Sequence, residues 1–414
     1  MNPWALLVPG FASRLEGLSW PGSTADRVVF TVLFCALVDF VKLVIELLGR
    51  AARRDFTSDP AQVTAVIASR NGARVLPGTI AELHRSLPGA HVMVVDDGST
   101  DGTSAVAREL GCEVHRFERS KGKASAINYA IYRVRTPLVL LLDDDTRLGG
   151  TRLPTSLVLD GHADAVAFHV LPDRRNRDGA HGNNFVGALQ RYEYGKSMEI
   201  GKRFHDVTQS VSCVSGAVGL FRTSDLDALH HRHTCVFQGE DLQRSMILLL
   251  SGGSIAFADE PVWTVAPASW ASWFRQRLFG WYPGVYHQAA NMLRLLFARD
   301  SSWRLRYEMA YNMYTLLSDP LKTWSIVVIA LTPGLRFWGL VVYVIYLAFE
   351  TFPWWVIRSQ GAQRRAPLTV LLFYPLYGAM NTLLRTLALL VWAWMRYVSG
   401  SMRPRRGPRD RVPE

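Results

Sequence analysis

Two apolar stretches near the C-terminus, residues 323–357 and 367–398, constrain this chain more than any other feature. Each exceeds the ~20 residues that cross a bilayer's hydrocarbon as a helix. Backbone in lipid must satisfy its own hydrogen bonds, so such stretches become helices. A third stretch, Val28 to Leu48, is apolar except for Asp39, Lys42 and Glu46. The two C-terminal stretches carry breakers near their middles, Pro333-Gly334 and Pro375 to Gly378. Arginine clusters abut all three: Arg50, Arg53 and Arg54; Arg358, Arg364 and Arg365; Arg403, Arg405, Arg406, Arg409 and Arg411. Basic residues beside spans mark the cytoplasmic side. With every cluster inside, each C-terminal stretch crosses an even number of times. Two hairpins satisfy this and predict five spans; the halves are short, so three is the alternative count. The first span then leads from an external N-terminus to an internal domain. It starts too far from Met1 for a cleaved signal peptide, and no small-residue cleavage site follows.

The 414 residues leave room for one α/β domain between these segments, and 49% hydrophobic content fits such a mixed architecture. The net charge of +11 comes largely from the arginines beside apolar runs. No zinc-finger, helix-turn-helix or RNA-binding motif accompanies it, which excludes nucleic acid as the partner and leaves membrane lipid and anionic substrate. The cysteines, Cys35, Cys112, Cys213 and Cys235, form no CxxC pair. They indicate neither a disulfide framework nor a zinc site and fit a reduced compartment.

Residues 62–260 read as a soluble α/β domain. Short β-branched runs at 63–69, 91–99, 137–146 and 163–170 predict strands, and 73–87 predicts a helix between the first two. Strands alternating with helices imply a mostly parallel sheet, whose ligand sits beyond the carboxyl ends of its strands. Two of the runs end in carboxylates. Residues 270–298, rich in Trp, Arg and Phe, suit an interfacial amphipathic segment. The expected division is a 1–55 segment with the first span, a 56–268 catalytic domain, 269–320 interfacial helices, 321–400 transmembrane helices and a disordered basic tail, 401–414.

Five motifs carry chemistry. Asp96-Asp97-Gly98-Ser99 closes one strand. It is either a tight turn capping a helix or a contact to nucleobase or ribose. Asp143-Asp144-Asp145 closes another. Three adjacent carboxylates repel one another unless a cation joins them, and oxygen ligands suit Mg²⁺ or Mn²⁺ with a phosphate. Lys121-Gly122-Lys123 followed by Asn128 suits a phosphate at a helix start, or an ordinary loop. Gly239-Glu240-Asp241, with the small turn Ser215-Gly216-Ala217 ahead of it, offers Asp241 as a general base. In Gln276-Arg277-Leu278-Phe279-Gly280-Trp281 a cation faces a leaving diphosphate and an aromatic faces an acceptor sugar; a membrane-interface belt is the alternative.

In this order, between membrane segments, the motifs resemble those of the family 2 glycosyltransferases, in particular the membrane-integrated synthases of hyaluronan, cellulose and chitin oligosaccharides. The resemblance covers about residues 60–285 and implies a GT-A nucleotide-sugar-binding fold with α-helical transmembrane and interfacial helices. It also implies inverting transfer from a nucleotide-diphosphate sugar, usually UDP-linked. By that resemblance Asp96 and Asp97 contact the nucleoside, with Lys123 and Asn128 beside them. Asp143 and Asp145 match the DxD motif, with Asp145 as ligand of Mg²⁺ or Mn²⁺. Ser215 and Gly216 lie near the acceptor, Asp241 with Glu240 forms the base motif, and Gln276, Arg277 and Trp281 match a QxxRW region. Two departures stand out. Ser69-Arg70-Asn71-Gly72 replaces an xYNE segment, and QRLFGW holds one residue too many between Gln276 and Trp281, with Gly280 where Arg is expected. The implied reaction extends a polysaccharide at the cytoplasmic face of the cell membrane. Transfer of a single sugar to a lipid acceptor is one alternative. A non-catalytic scaffold or donor-binding regulator is another. Trp354, Trp355, Trp392 and Trp394 line either a sugar channel or an interfacial belt.

Overall fold

The computed structural model describes residues 24–49, 54–174, 184–229, 232–233, 239–359 and 366–399. Arg50, Arg53, Arg364, Arg365, Cys235 and the tail from residue 401 lie outside them. The sheet has seven strands in the order β3-β2-β1-β4-β6-β5-β7. They are β1 (Val63–Ser69), β2 (His91–Asp96), β3 (Glu113–Arg116), β4 (Leu138–Asp143), β5 (Ala165–Pro172), β6 (Val218–Arg222) and β7 (Ile255–Thr264). β1 pairs in parallel with β2 and β4, β2 with β3, and β5 with β7. β6 alone runs antiparallel, between β4 and β5. The strands expected from the sequence are β1, β2, β4 and β5; β3, β6 and β7 complete the sheet.

β1 and β4 are apolar on both faces because helices cover both, as parallel sheets require. All of Leu138 to Leu142 is buried. The helices that position the site are α1 (Thr24–Gly49), α2 (Leu76–Ser86), α3 (Thr103–Glu109), α4 (Lys123–Ile131), α5 (Phe185–Lys196) and α6 (Glu240–Leu250). Beyond the domain run α7 (Trp270–Gln276), α8 (Tyr282–Phe297), α9 (Trp303–Leu331), α10 (Arg336–Ser359) and α11 (Leu368–Ala393).

Among the described residues, three helical segments are long and apolar enough to cross a membrane: Asp26–Gly49, Pro333–Ser359 and Leu368–Val398. Each C-terminal stretch thus supplies one candidate span rather than a hairpin, which matches the alternative count of three. Pro333-Gly334 does break the first stretch, separating α9 from α10, but Pro375 lies inside one continuous helix. A proline removes one helical hydrogen bond, and a helix packed among others tolerates that. The division expected at 320/321 falls within α9.

Asp39, Lys42 and Glu46 recur at helical spacing, so they share one face of α1. That face turns inward. Asp39 accepts from Lys322 Nζ at 2.8 Å and from the Tyr311 hydroxyl at 3.1 Å. Glu46 and Glu308 both approach His205 Nε2, at 3.5 and 3.0 Å, so ionic contacts tie α1 and α9 to the α/β domain. Trp355 and Trp394 are 59% and 55% exposed, on the outside of the bundle. Trp354 and Trp392 are half-buried and pack against the apolar cluster around Tyr286 and Tyr377, so the four do not share one placement.

Leu140 is fully buried in central β4. Leu140→Ala is expected to cost about 2–5 kcal/mol in chemical denaturation. A loss below about 0.5 kcal/mol, as at surface positions, would contradict burial of β4 on both faces.

Candidate active site

The sheet brings the ends of β1, β2 and β4 together, and the acidic clusters with them. Asp96 is fully buried; its carboxylate accepts from Ser99 N at 2.8 Å and from the Ser104 hydroxyl. Asp97 accepts from Lys121 N at 2.6 Å, from Gly122 N at 3.0 Å and from Ser120 Oγ at 2.7 Å. Both carboxylates therefore engage their own loops, and Asp97 fixes the start of α4. The loop before α4 lies directly on Gly98, whose φ is +69°. A Cβ there would meet Ser120 N at 2.5 Å. The turn after β1 joins this assembly. Asn71, at φ 55°, donates its N–H to Ser99 Oγ and accepts from Thr100 N, each at 2.9 Å. Asn71 thus clamps the turns after β1 and β2 to each other.

At the end of β4 the carboxylates alternate. Asp144 is buried, and its carboxylate accepts from Ser69 Oγ at 2.7 Å. Asp143 and Asp145 are half-buried. The Asp143 N–H donates to the Ala217 carbonyl, 3.0 Å away at the start of β6, placing the Ser215-Gly216 turn beside the carboxylates. The donor set at this edge consists of oxygens, which fits Mg²⁺ or Mn²⁺.

α6 brings in the second acidic pair. Gly239, at φ +108°, turns the chain so that Glu240 and Asp241 occupy the first helical turn, where the dipole favours carboxylates. Asp241 accepts from Gly216 N at 2.8 Å. Lys123, the first residue of α4, joins both groups. Its Nζ pairs with Asp143, lies 3.2 Å from Glu240 Oε1 and donates to the Gly216 carbonyl at 3.2 Å. Burial raises the Asp241 pKa, and the Glu240 charge adds to it. Burial also raises that of Asp143, against the Lys123 charge. At Glu240 burial opposes ionisation, yet the Lys123 and Arg244 charges outweigh it and lower the pKa.

Asn128 lies further along α4, where it lines a small cavity with Ile131, His233 and Arg244. The QRLFGW segment closes another side. Arg277–Trp281 forms a π-helical turn. A π turn takes up one extra residue within a helix, which accounts for the surplus residue between Gln276 and Trp281. Arg277 is buried against Glu193, and its guanidinium lies 4.3 Å from the Trp281 ring centre. Arg275 is exposed. Tyr194 packs near Trp281 at 6.1 Å between ring centres, and burial pushes its hydroxyl pKa up. Sequence reasoning missed Glu193 and Tyr194, because nothing local in α5 marks them as partners of a segment more than 80 residues away.

One further constellation is buried outside this edge. His169, Glu199 and Asp259 place ligand atoms within 4.8 Å of one another. Arg203 pairs with both carboxylates, at 2.9 Å to Glu199 and 2.5 Å to Asp259, so a fixed cation already offsets part of their charge. The sequence offered no spacing signal for it.

The sheet and its acidic strand ends are GT-A-like, and a family model defines the class. The family model described as "Glycosyltransferase like family 2" matches residues 60–283, more than half of the chain. The chain belongs to that family. The succinoglycan biosynthesis protein ExoU of Rhizobium meliloti is 36% identical over 117 residues, covering 26% of this chain and 34% of that protein. The poly-beta-1,6-N-acetyl-D-glucosamine synthase of Staphylococcus epidermidis is 23% identical over 276 residues, 64% of this chain and 63% of the relative. The chain thus spans less than two thirds of either relative's length. In fold it is similar to the mannosyltransferase PcManGT of Pyrobaculum calidifontis, solved with GDP-Man and Mn²⁺. That similarity has a TM-score of 0.61 at 14% identity and covers 89% of this chain and 98% of that one.

Gly98→Ala forces a Cβ against the loop that Asp97 holds. It is expected to cost roughly 1–3 kcal/mol in a thermal melt. An unchanged melt would contradict the close approach of that loop.

Proposed function

We propose that the chain is an inverting glycosyltransferase that moves a sugar from a nucleotide-diphosphate sugar, UDP-linked, to a growing polysaccharide. The catalytic domain faces the cytoplasm from the cell membrane. One observation carries this reading: Asp143, Glu240 and the Gly216 carbonyl converge on the ammonium of Lys123, and Asp241 joins them through the Gly216 N–H. A donor's diphosphate fits at the β4 end of that cluster and an acceptor hydroxyl at its α6 end.

Asp143 and Asp145 would hold Mg²⁺ or Mn²⁺, and the ion would supply charge neutralisation at the leaving diphosphate. The turns joined by Asn71, Asp96 and Asp97 shape the nucleoside's seat through their backbone, since the carboxylates are committed to loop N–H and hydroxyl groups. Asp241 accepts the acceptor's proton as its oxygen attacks the anomeric carbon, and the Gly216 N–H orients that carboxylate. Tyr194 and Trp281 present aromatic faces to the acceptor side. Polymer extension is favoured by the two relatives named for polysaccharide synthesis. A lipid acceptor is favoured by the exposed apolar edge beside the site, where Phe279 is 55% exposed. Product sizing with labelled donor separates a ladder from a single lipid-soluble product.

Asp145→Ala is expected to abolish transfer. Asp241→Asn should abolish it too while leaving donor affinity within about threefold, a change below ~1 kcal/mol. Robust transfer by purified Asp241→Asn would remove the base assignment. Asp241 works only when deprotonated, and its pKa is raised above the ordinary 3.8. Transfer should therefore fall as pH drops through that raised value. Glu240→Gln removes a negative neighbour, lowers the Asp241 pKa and moves the acid limb of any residual activity to lower pH. A shift to higher pH would contradict the pairing.

A further inference from the structure

We propose that Lys123 is a resident counter-ion: it occupies the cation position between Asp143 and Glu240 until the donor arrives, then moves onto the donor's diphosphate. This rests on the reading of Asp143 and Asp145 as the metal and diphosphate site. The Lys123 ammonium lies among oxygens of three separate elements: Asp143 at the end of β4, Glu240 at the start of α6 and the Gly216 carbonyl between β-strand and turn. Those are the oxygen types that a divalent ion selects. Two cations a few ångströms apart in a partly buried cleft repel each other strongly. The ammonium and a divalent ion held by Asp143 and Asp145 therefore compete for Asp143.

The local structure permits an exchange. The backbone at the start of α4 is fixed, because Lys121 N and Gly122 N both donate to Asp97. The side chain is not enclosed; it retains 36% exposure. Its flexible four-carbon stem lets Nζ swing while Cα stays in place. A diphosphate at the end of β4 offers the ammonium new acceptors and offers the ion additional oxygens. Donor and metal then favour each other's binding, and linkage makes the effect reciprocal. Without donor, the lysine keeps the carboxylates from repelling one another and keeps the site from filling with metal. A lysine that served only as a phosphate ligand would have no effect on metal affinity in donor-free protein.

The test is Mn²⁺ binding to the purified full chain, followed by electron paramagnetic resonance of free Mn²⁺, first alone and then with UDP or GDP. Lys123→Met should bind Mn²⁺ alone more tightly than wild type, by roughly tenfold or more. It should also gain less from added nucleotide. Unchanged or weaker Mn²⁺ binding in folded Lys123→Met would overturn the inference. Should that variant lack a cooperative melt, Lys123→Arg decides the matter. Keeping the charge, it should bind Mn²⁺ alone no more tightly than wild type, and tighter binding would overturn the inference. Wild-type protein that binds no Mn²⁺ even with nucleotide present would instead overturn the underlying site reading.

Discussion

Mutual repulsion among carboxylates is the constraint around which this domain is arranged. Asp143 and the adjacent pair Glu240-Asp241 come from distant parts of the chain and meet in a half-buried cleft. Like charges at such separations cannot all stay ionised unless cations or N–H donors compensate them. Lys123 supplies the cation, and the Gly216 N–H and the α6 dipole supply the rest. The fold delivers each of these parts by a strand end or a helix start. A one-residue slip of β4 would exchange the faces of Asp143 and Asp144, and the cluster would lose its member from the sheet.

The same economy of charge extends into the apolar helices. Asp39 is matched by Lys322, Asp319 by Arg385, and the carboxylates of Glu46 and Glu308 by Lys42 and His205. Ionisable side chains within apolar helices are costly and face protein interiors. Here they fix the rotation of α1 and α9 against each other and against the domain. Arg277, held by Glu193 within an aromatic cage, continues this set toward the sugar-transfer edge. The domain and its helices are thus joined by ionic contacts rather than by apolar packing alone.

Much of this was legible in the chain. β1, β2, β4 and β5 announce themselves as β-branched or aliphatic runs, and the acidic ends of β2 and β4 mark the ligand edge. The antiparallel β6 was not legible: VGLFR is short, and its orientation is fixed only by pairing with β4 and β5. Neither C-terminal stretch forms a hairpin of two spans, and Pro375 breaks nothing because a packed helix absorbs it. The irregular Gln276–Trp281 spacing was visible, but its resolution as a π turn required backbone geometry. Lys42 and Glu46 pair within α1, but the other polar partners of Asp39, Lys42 and Glu46 lie more than 150 residues away. Only the spacing of the three on one helical face hinted that such partners exist.

The central claim is that the acidic end of β4 holds a divalent ion against a sugar-linked diphosphate. Its most direct test is pulsed resonance spectroscopy of protein-bound Mn²⁺ in the presence of a nucleotide-diphosphate sugar. A ³¹P coupling to Mn²⁺ is expected, and it should vanish in Asp145→Ala. Bound Mn²⁺ that shows no ³¹P coupling, or a coupling that survives Asp145→Ala, would contradict the account.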